Sequence, residues 1–162
     1  MHEVVFDCCV ISNFALAGAL RTIRGLYPGS AFITAFVSAE VLRGIQAGHD
    51  GLTAIPAAVQ DGWLKETDLI SPDEKKLFES LSVSLGFGEA SSLAVARKRG
   101  YRLASDDEAA RREARALGIA LTGTIGILKK AVKLRICDQD TAERYLAKMI
   151  ASGFYSPVKS LF

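Results

Sequence analysis

Apolar positions along the chain fall into two kinds of run. Short, nearly uninterrupted ones span Val4 to Phe6, Ala31 to Phe36, Tyr101 to Ala104 and Ile119 to Leu121, and Leu64 to Leu69, apolar only at its two ends, could carry a further strand. Runs this brief, rich in β-branched and aromatic residues, predict strands buried on both faces. Between them lie longer stretches with helical spacing. From Val10 to about Leu26 the apolar positions Ile11, Phe14, Ala15, Leu20 and Ile23 predict one helix, ended by Tyr27-Pro28-Gly29-Ser30. Ser38 to Ile45 predicts a second, with Ser38 as its cap. Ala54 to Val59 could carry a third.

The second half is punctuated more sharply. Ser71-Pro72-Asp73-Glu74 is a helix start: a capping serine, proline in the first turn and acids after it. Gly86-Phe87-Gly88 predicts a break before a helix from Glu89 to about Arg99, which Gly100 ends. Asp107 to Leu117 predicts another, ending at Gly118. Thr124 to Leu134 is amphipathic, with Ile125, Leu128, Ala131 and Val132 on one face, and Asp138 to Ile150 predicts the last. Strands alternating with helices give an α/β fold, a parallel sheet covered on both faces. In such sheets ligands bind outside the carboxyl ends of the strands.

Composition agrees with this picture and narrows it. The 162 residues, 49% hydrophobic and 23% charged with 14 Gly and 4 Pro, fit a single domain that can bury roughly 70% of its unfolded surface. They exclude disorder and repeats. A net charge of +2 names no nucleic-acid or membrane partner and excludes neither. Cys8, Cys9 and Cys137 are an odd set with two adjacent, which fits a reducing cytoplasm better than a disulfide framework. The amino terminus lacks the basic region of a signal peptide, and no run approaches the ~18 apolar residues of a membrane span.

The chemistry sits where the strands end. Asp7 follows the first strand, Glu40 lies in the first turn of the helix after the second, and Asp106 and Asp107 follow the strand ending near Ala104. Glu89 opens a helix that reaches the same sheet edge if it runs antiparallel to the strands. Four or five carboxylates without a cation among them repel one another. Mg2+ or Mn2+, which prefer oxygen ligands, relieve that repulsion and activate water for attack on a phosphodiester. Each acid alone has a plainer explanation, since Asp and Glu also cap helices and complement their dipoles; Asp107 and Glu89 fit that role well. Convergence carries the metal reading.

The segments VVFDCCVISNFA, VSAEVLRGI and GFGEASSLAVARKRGYRLASDDEAARREARALGIALTGTIGILKKA resemble, in order, the motifs of PIN-domain nucleases. Thr122-Gly123-Thr124-Ile125-Gly126 is similar to a stretch of their VapC-like toxin branch. The resemblance covers residues 3–45 and 85–135; residues 46–84 carry none of it. It implies a three-layer α/β/α sandwich around a mainly parallel five-stranded sheet, in one PIN-like domain. It also implies an Mg2+- or Mn2+-dependent endoribonuclease, commonly a homodimer and commonly a toxin neutralised by a small antitoxin protein. Carried over by position, Asp7, Glu40, Glu89 and Asp106 match the family's catalytic acids. Asp7, Asp106, Asp107 and Glu89 are then the metal-binding set, with the choice between Asp106 and Asp107 as direct ligand open. The family has Thr, Ser or Asn two positions after the first Asp; here it is Cys9, a poor hydrogen-bond partner, for which Ser12 or Asn13 could compensate.

Other chemistries find little support. His2 and His49 are the only histidines, too few for a zinc site or a Ser-His-Asp triad. Cys8 and Cys9 have no His or third Cys at ligand spacing and read as small buried hydrophobes. GFGEAS has Ser91 where a dinucleotide fingerprint needs its third glycine, and it follows a helix rather than a first strand. VVFD without a second Asp at position 9 does not make an aspartyl-phosphate phosphatase. Arg111, Arg112 and Arg115 form a basic group one to two turns after the aspartates and are candidates for contact with an RNA backbone. A non-catalytic module that binds RNA or a protein partner is the alternative to a nuclease.

Overall fold

The computed structural model describes residues 2–162. Five strands, β1 (Val4–Phe6), β2 (Ala31–Thr34), β3 (Leu64–Thr67), β4 (Arg102–Ala104) and β5 (Leu121–Thr122), form one sheet in the order β3-β2-β1-β4-β5. Every pairing is parallel, so all five carboxyl ends lie along one edge. The first strand is central, and its ladder to β4 runs on past its end, where the Asp7 amide donates to the Ala104 carbonyl at 3.0 Å.

Strand periodicity divides the core. Val4 and Phe6 point to one face of the sheet, with Ala31, Ile33, Leu64 and Ala104; Val5 points to the other, with Leu103. The first face is covered by α1 (Cys8–Leu16), α2 (Leu20–Leu26), α3 (Ala35–Gln46), α4 (Ala54–Gln60), α8 (Thr124–Lys133) and α9 (Gln139–Ala151). The second is covered by α5 (Pro72–Leu81), α6 (Phe87–Arg99) and α7 (Glu108–Ala116). The α/β/α sandwich expected from the sequence is the fold.

Several boundaries differ from the sequence reading. The expected helix from Val10 to Leu26 is two, because Gly18 takes φ +68° and turns the chain between them. The strand expected through Phe36 stops at Thr34, whose hydroxyl accepts the Val37 amide and caps α3; Ser38 lies inside that helix. Glu40 is therefore in the second turn, not the first. Gly86-Phe87-Gly88 is no break, since α6 begins at Phe87 with Gly86 as its cap. The fifth strand is Leu121–Thr122 rather than Ile119 to Leu121. Residues 46–84, unassigned by resemblance, supply a 3-10 turn (Asp50–Thr53), α4, β3 and α5. There Glu74, 3% exposed, completes a capping box with Ser71 and receives the Arg99 guanidinium at 3.0–3.1 Å, tying α5 to the end of α6.

An acidic cleft at the carboxyl edge of the sheet

Asp7 is both a cap and something more. Its Oδ1 accepts the Val10 amide at 3.0 Å and starts α1. The side chain is buried, 1% exposed, and among the described residues Oδ2 is the one buried side-chain oxygen or nitrogen without a hydrogen-bond partner. The Ser105 hydroxyl approaches the carboxyl, though not in hydrogen-bonding geometry to Oδ2. Burial, above all, pushes the Asp7 pKa up to about 7; Ser105 and the Val10 amide hold it down, and the charges of Asp106 and Glu89 raise it further.

Asp106, two residues past β4, is seated differently. The Thr124 amide donates to its Oδ1 at 2.9 Å, and the Thr124 hydroxyl donates to its Oδ2 at 2.5 Å. Asn13 Nδ2 reaches both Thr124 Oγ1, at 3.1 Å, and Asp106 Oδ2, at 3.5 Å. The compensation that sequence reading assigned to Ser12 or Asn13 thus falls to Asn13. Gly123 makes the seat possible, since a Cβ there would stand 2.6 Å from Asp106 Oδ1. Thr124 and Ser105 were not singled out in the sequence; the Thr-Gly-Thr stretch was the only pointer to Thr124.

The remaining acids ring the same edge. Glu40 Oε1 accepts the Gly88 amide at 3.0 Å, which joins α3 to the first turn of α6. Glu89 Oε2 accepts the Gly86 amide at 2.9 Å. Burial raises the Glu89 pKa, and the charges of Asp107 and Glu40 add to the rise. Asp107 caps α7 through a 2.8 Å bond from the Ala110 amide. Among the described residues the only ion pairs are Arg99–Glu74 and Arg115–Glu108, so none of these five carboxylates has a cation within 4 Å. Nor do any three acidic, histidine or cysteine side chains there form a ready-made ligand cage. Glu40, Asp106 and Asp107 line a cleft, while Asp7 is buried and, like Glu89, stands outside its walls.

That cleft, about 510 Å³, is walled by Cys8, Cys9, Asn13, Glu40, Asp106 and Asp107. Cys9 is exposed and Cys8 half-buried, so the expectation of two buried hydrophobes fails for Cys9. Partial burial and then the charge of Asp7 push the Cys9 thiol up to about 12, and burial pushes Cys8 to about 11. Neither is a reactive thiolate.

The family model of a PIN domain matches residues 3–161. The chain belongs to the PIN-domain family. Among curated proteins none matches it. PIN domains are in general nucleases, and the family implies contact with nucleic acid. Of the basic group on α7 of this PIN domain, Arg111 turns inward: its Nη1 donates to the carbonyls of Ser105, at 2.7 Å, and Thr122, at 3.2 Å, and so ties the ends of β4 and β5. Arg112 and Arg115 are exposed.

Among the described residues no helix is long and apolar enough to cross a membrane. The first and last helices, whose apolar faces could equally have formed a dimer interface, contribute Phe14, Leu146 and Met149 to the core.

Proposed function

We propose that this PIN domain is an Mg2+- or Mn2+-dependent endoribonuclease. The observation that carries the reading is the row of five carboxylates, without cationic partners, at the carboxyl edge of a parallel sheet. Asp7 Oδ2 fits a metal in particular: it is an oxygen acceptor, buried, unpartnered, and made costly to ionise above all by that burial. Absence of a preformed cage does not argue against Mg2+, which keeps several waters and takes one or two protein carboxylates.

Asp7 and Asp106 are the direct ligands in this reading, and Glu40, Glu89 and Asp107 act from farther out through water. A divalent ion bound there would lower the pKa of water and offset charge developing on the phosphoryl oxygens. Thr124 and Asn13 keep the Asp106 carboxylate from rotating, and the Gly88 amide does the same for Glu40. Rotation of either would otherwise have to be frozen as the reaction proceeds. The VapC-like resemblance extends the proposal to a cytoplasmic toxin, homodimeric and held by a protein antitoxin.

A second reading has its own support. Every one of the five acids already accepts a backbone amide, as a non-catalytic module would need for its folding alone. Titration of Mn2+ into wild type and Asp7→Asn, followed by cleavage of a mixed RNA pool, separates the two. Binding and metal-dependent cleavage, both lost in the variant, are the expected result. A folded wild type that binds no Mn2+ and cuts nothing refutes the nuclease.

A further inference from the structure

The segment after α9 is held at both ends. Gly153 turns the chain with φ +110°, and the Phe154 amide donates to the Met149 carbonyl at 2.9 Å. At the far end Leu161 is buried, and Glu143 Oε1 accepts the Leu161 amide at 2.8 Å and the Phe162 amide at 3.2 Å. Between these anchors stands Tyr155, 97% exposed, the most exposed of the large apolar side chains. A ring left in water on a segment anchored at both ends is open to be covered by something else.

Its position says what. Tyr155 and Phe154 line the acidic cleft, and with Asp106 and Glu108 they also line a second hollow of about 540 Å³. The second hollow lies past Asp106, against Arg111, Thr122, Gly123 and Pro157. The two hollows therefore adjoin, with Asp106, Glu108, Phe154 and Tyr155 in the walls of both. The volume falls within the roughly 300–1,000 Å³ of small-ligand sites.

Resting on the nuclease reading, we propose that the second hollow and Tyr155 form a subsite for one unpaired nucleobase next to the phosphodiester held at the acids. Charge selects this occupant. Glu108 and Asp106 border the hollow, and Arg111 spends one nitrogen on carbonyls of the fold, so the surroundings favour the uncharged face of a base over a second phosphate. Aromatic rings hold unpaired bases by stacking, in a way that tolerates any base. A base within a duplex has no free face to offer, so the subsite selects single strands.

The test uses the full chain with Mn2+ and an unstructured oligoribonucleotide containing 2-aminopurine, whose fluorescence falls when it stacks. Wild type, Tyr155→Phe and Tyr155→Ala are compared for cleavage kinetics, for quenching on binding, and for sedimentation. The proposal expects Tyr155→Ala to raise KM about ten-fold or more with kcat little changed, and to lose the quench, while Tyr155→Phe keeps both. Unaltered KM and quench in Tyr155→Ala overturn the subsite and leave the nuclease standing. A Tyr155-dependent quench from a wild type that cuts nothing keeps the subsite and sinks the nuclease. Wild type that neither binds nor cuts overturns both, and a change in sedimentation alone makes Tyr155 a contact between copies and overturns the subsite.

Discussion

Replacing Asp7 by Asn should stabilise the metal-free protein above neutral pH. The pKa of Asp7 rises from 3.8 to about 7 in the fold. Below about pH 4 the carboxyl is protonated in both folded and unfolded chains, and it contributes nothing to the difference. Between about pH 4 and 7 the folded chain keeps a proton that the unfolded chain has released, so stability falls as pH rises. Above about pH 7 both forms are ionised and the whole penalty is felt. At about 1.36 kcal/mol per pKa unit the ceiling is ~4 kcal/mol. Asn keeps the oxygen that accepts the Val10 amide and caps a helix about as well as Asp, so the variant loses the penalty and not the cap. Urea unfolding of both proteins in excess chelator, at pH 5 and pH 8, measures the gap. The variant should already gain roughly 1.6 kcal/mol at pH 5 and up to ~4 kcal/mol at pH 8. Saturating Mn2+ should then reverse the order by stabilising wild type alone. A variant equal to or weaker than wild type at pH 8 without metal would refute the account of Asp7 as an isolated buried charge.

Three further outcomes are expected. Gly123→Ala keeps an ordinary extended backbone, φ −154°, but its Cβ would press on Asp106 Oδ1; metal-dependent cleavage should drop at least ten-fold while unfolding shifts by about 1–3 kcal/mol. Arg99→Met leaves the Glu74 carboxylate buried without its cation and should cost roughly 3 kcal/mol or more in urea unfolding, whereas a loss under 1 kcal/mol would mean that water reaches Glu74. Cys9, exposed but with its thiol pushed up to about 12, should alkylate roughly fifty-fold more slowly at pH 8 than a free cysteine of pKa ~8.5, its scarcer thiolate being partly offset by higher nucleophilicity; mass spectrometry of peptides after iodoacetamide treatment would show it.

The alternation of short apolar runs with helical spacing made most of the sheet legible, because parallel strands buried on both faces read as short apolar runs; β3, whose Lys65 and Glu66 are exposed, carries no such run. Most of the acids were legible too, since Asp7, Asp106 and Asp107 follow a strand directly and Glu40 lies in the helix after one, while Glu89 follows a helix. Less legible was how they are held. Gly88 and Gly123 look like punctuation in the sequence, yet each is a place where a Cβ would strike a carboxylate, a fact that exists only once α3 and α6, or β5 and Asp106, are side by side. Arg111 had a role its spacing from the aspartates did not suggest: beside any contact with RNA, its Nη1 bonds the ends of β4 and β5. Thr34, not Ser38, caps α3 because the strand ends two residues earlier than its apolar run does. Tyr155 carried no signal at all, because one tyrosine in a short tail of mixed residues acquires meaning only from the hollows beside it.

The crowding of α6 has a consequence for motion. From Ala90 to Ala96 every residue of this helix is buried, and Ala90, Ser91, Ser92, Ala94 and Ala96 are small, so its neighbours approach closely on all sides. A helix without a free face cannot tilt or slide unless α3, α5, α7 and the sheet move with it. Glu89 rides on that helix, and Glu40 is bonded to its first turn. The Glu40 side of the cleft is thereby tied to a helix buried on all sides. The opposite wall, made by the exposed turn at Ser152 and Gly153 and by Tyr155, rests on a few hydrogen bonds at either end of a short strap. Whatever the cleft must do to admit, grip and release a long chain falls to that wall, and relaxation or exchange measurements should find slow motion there and almost none at Glu89.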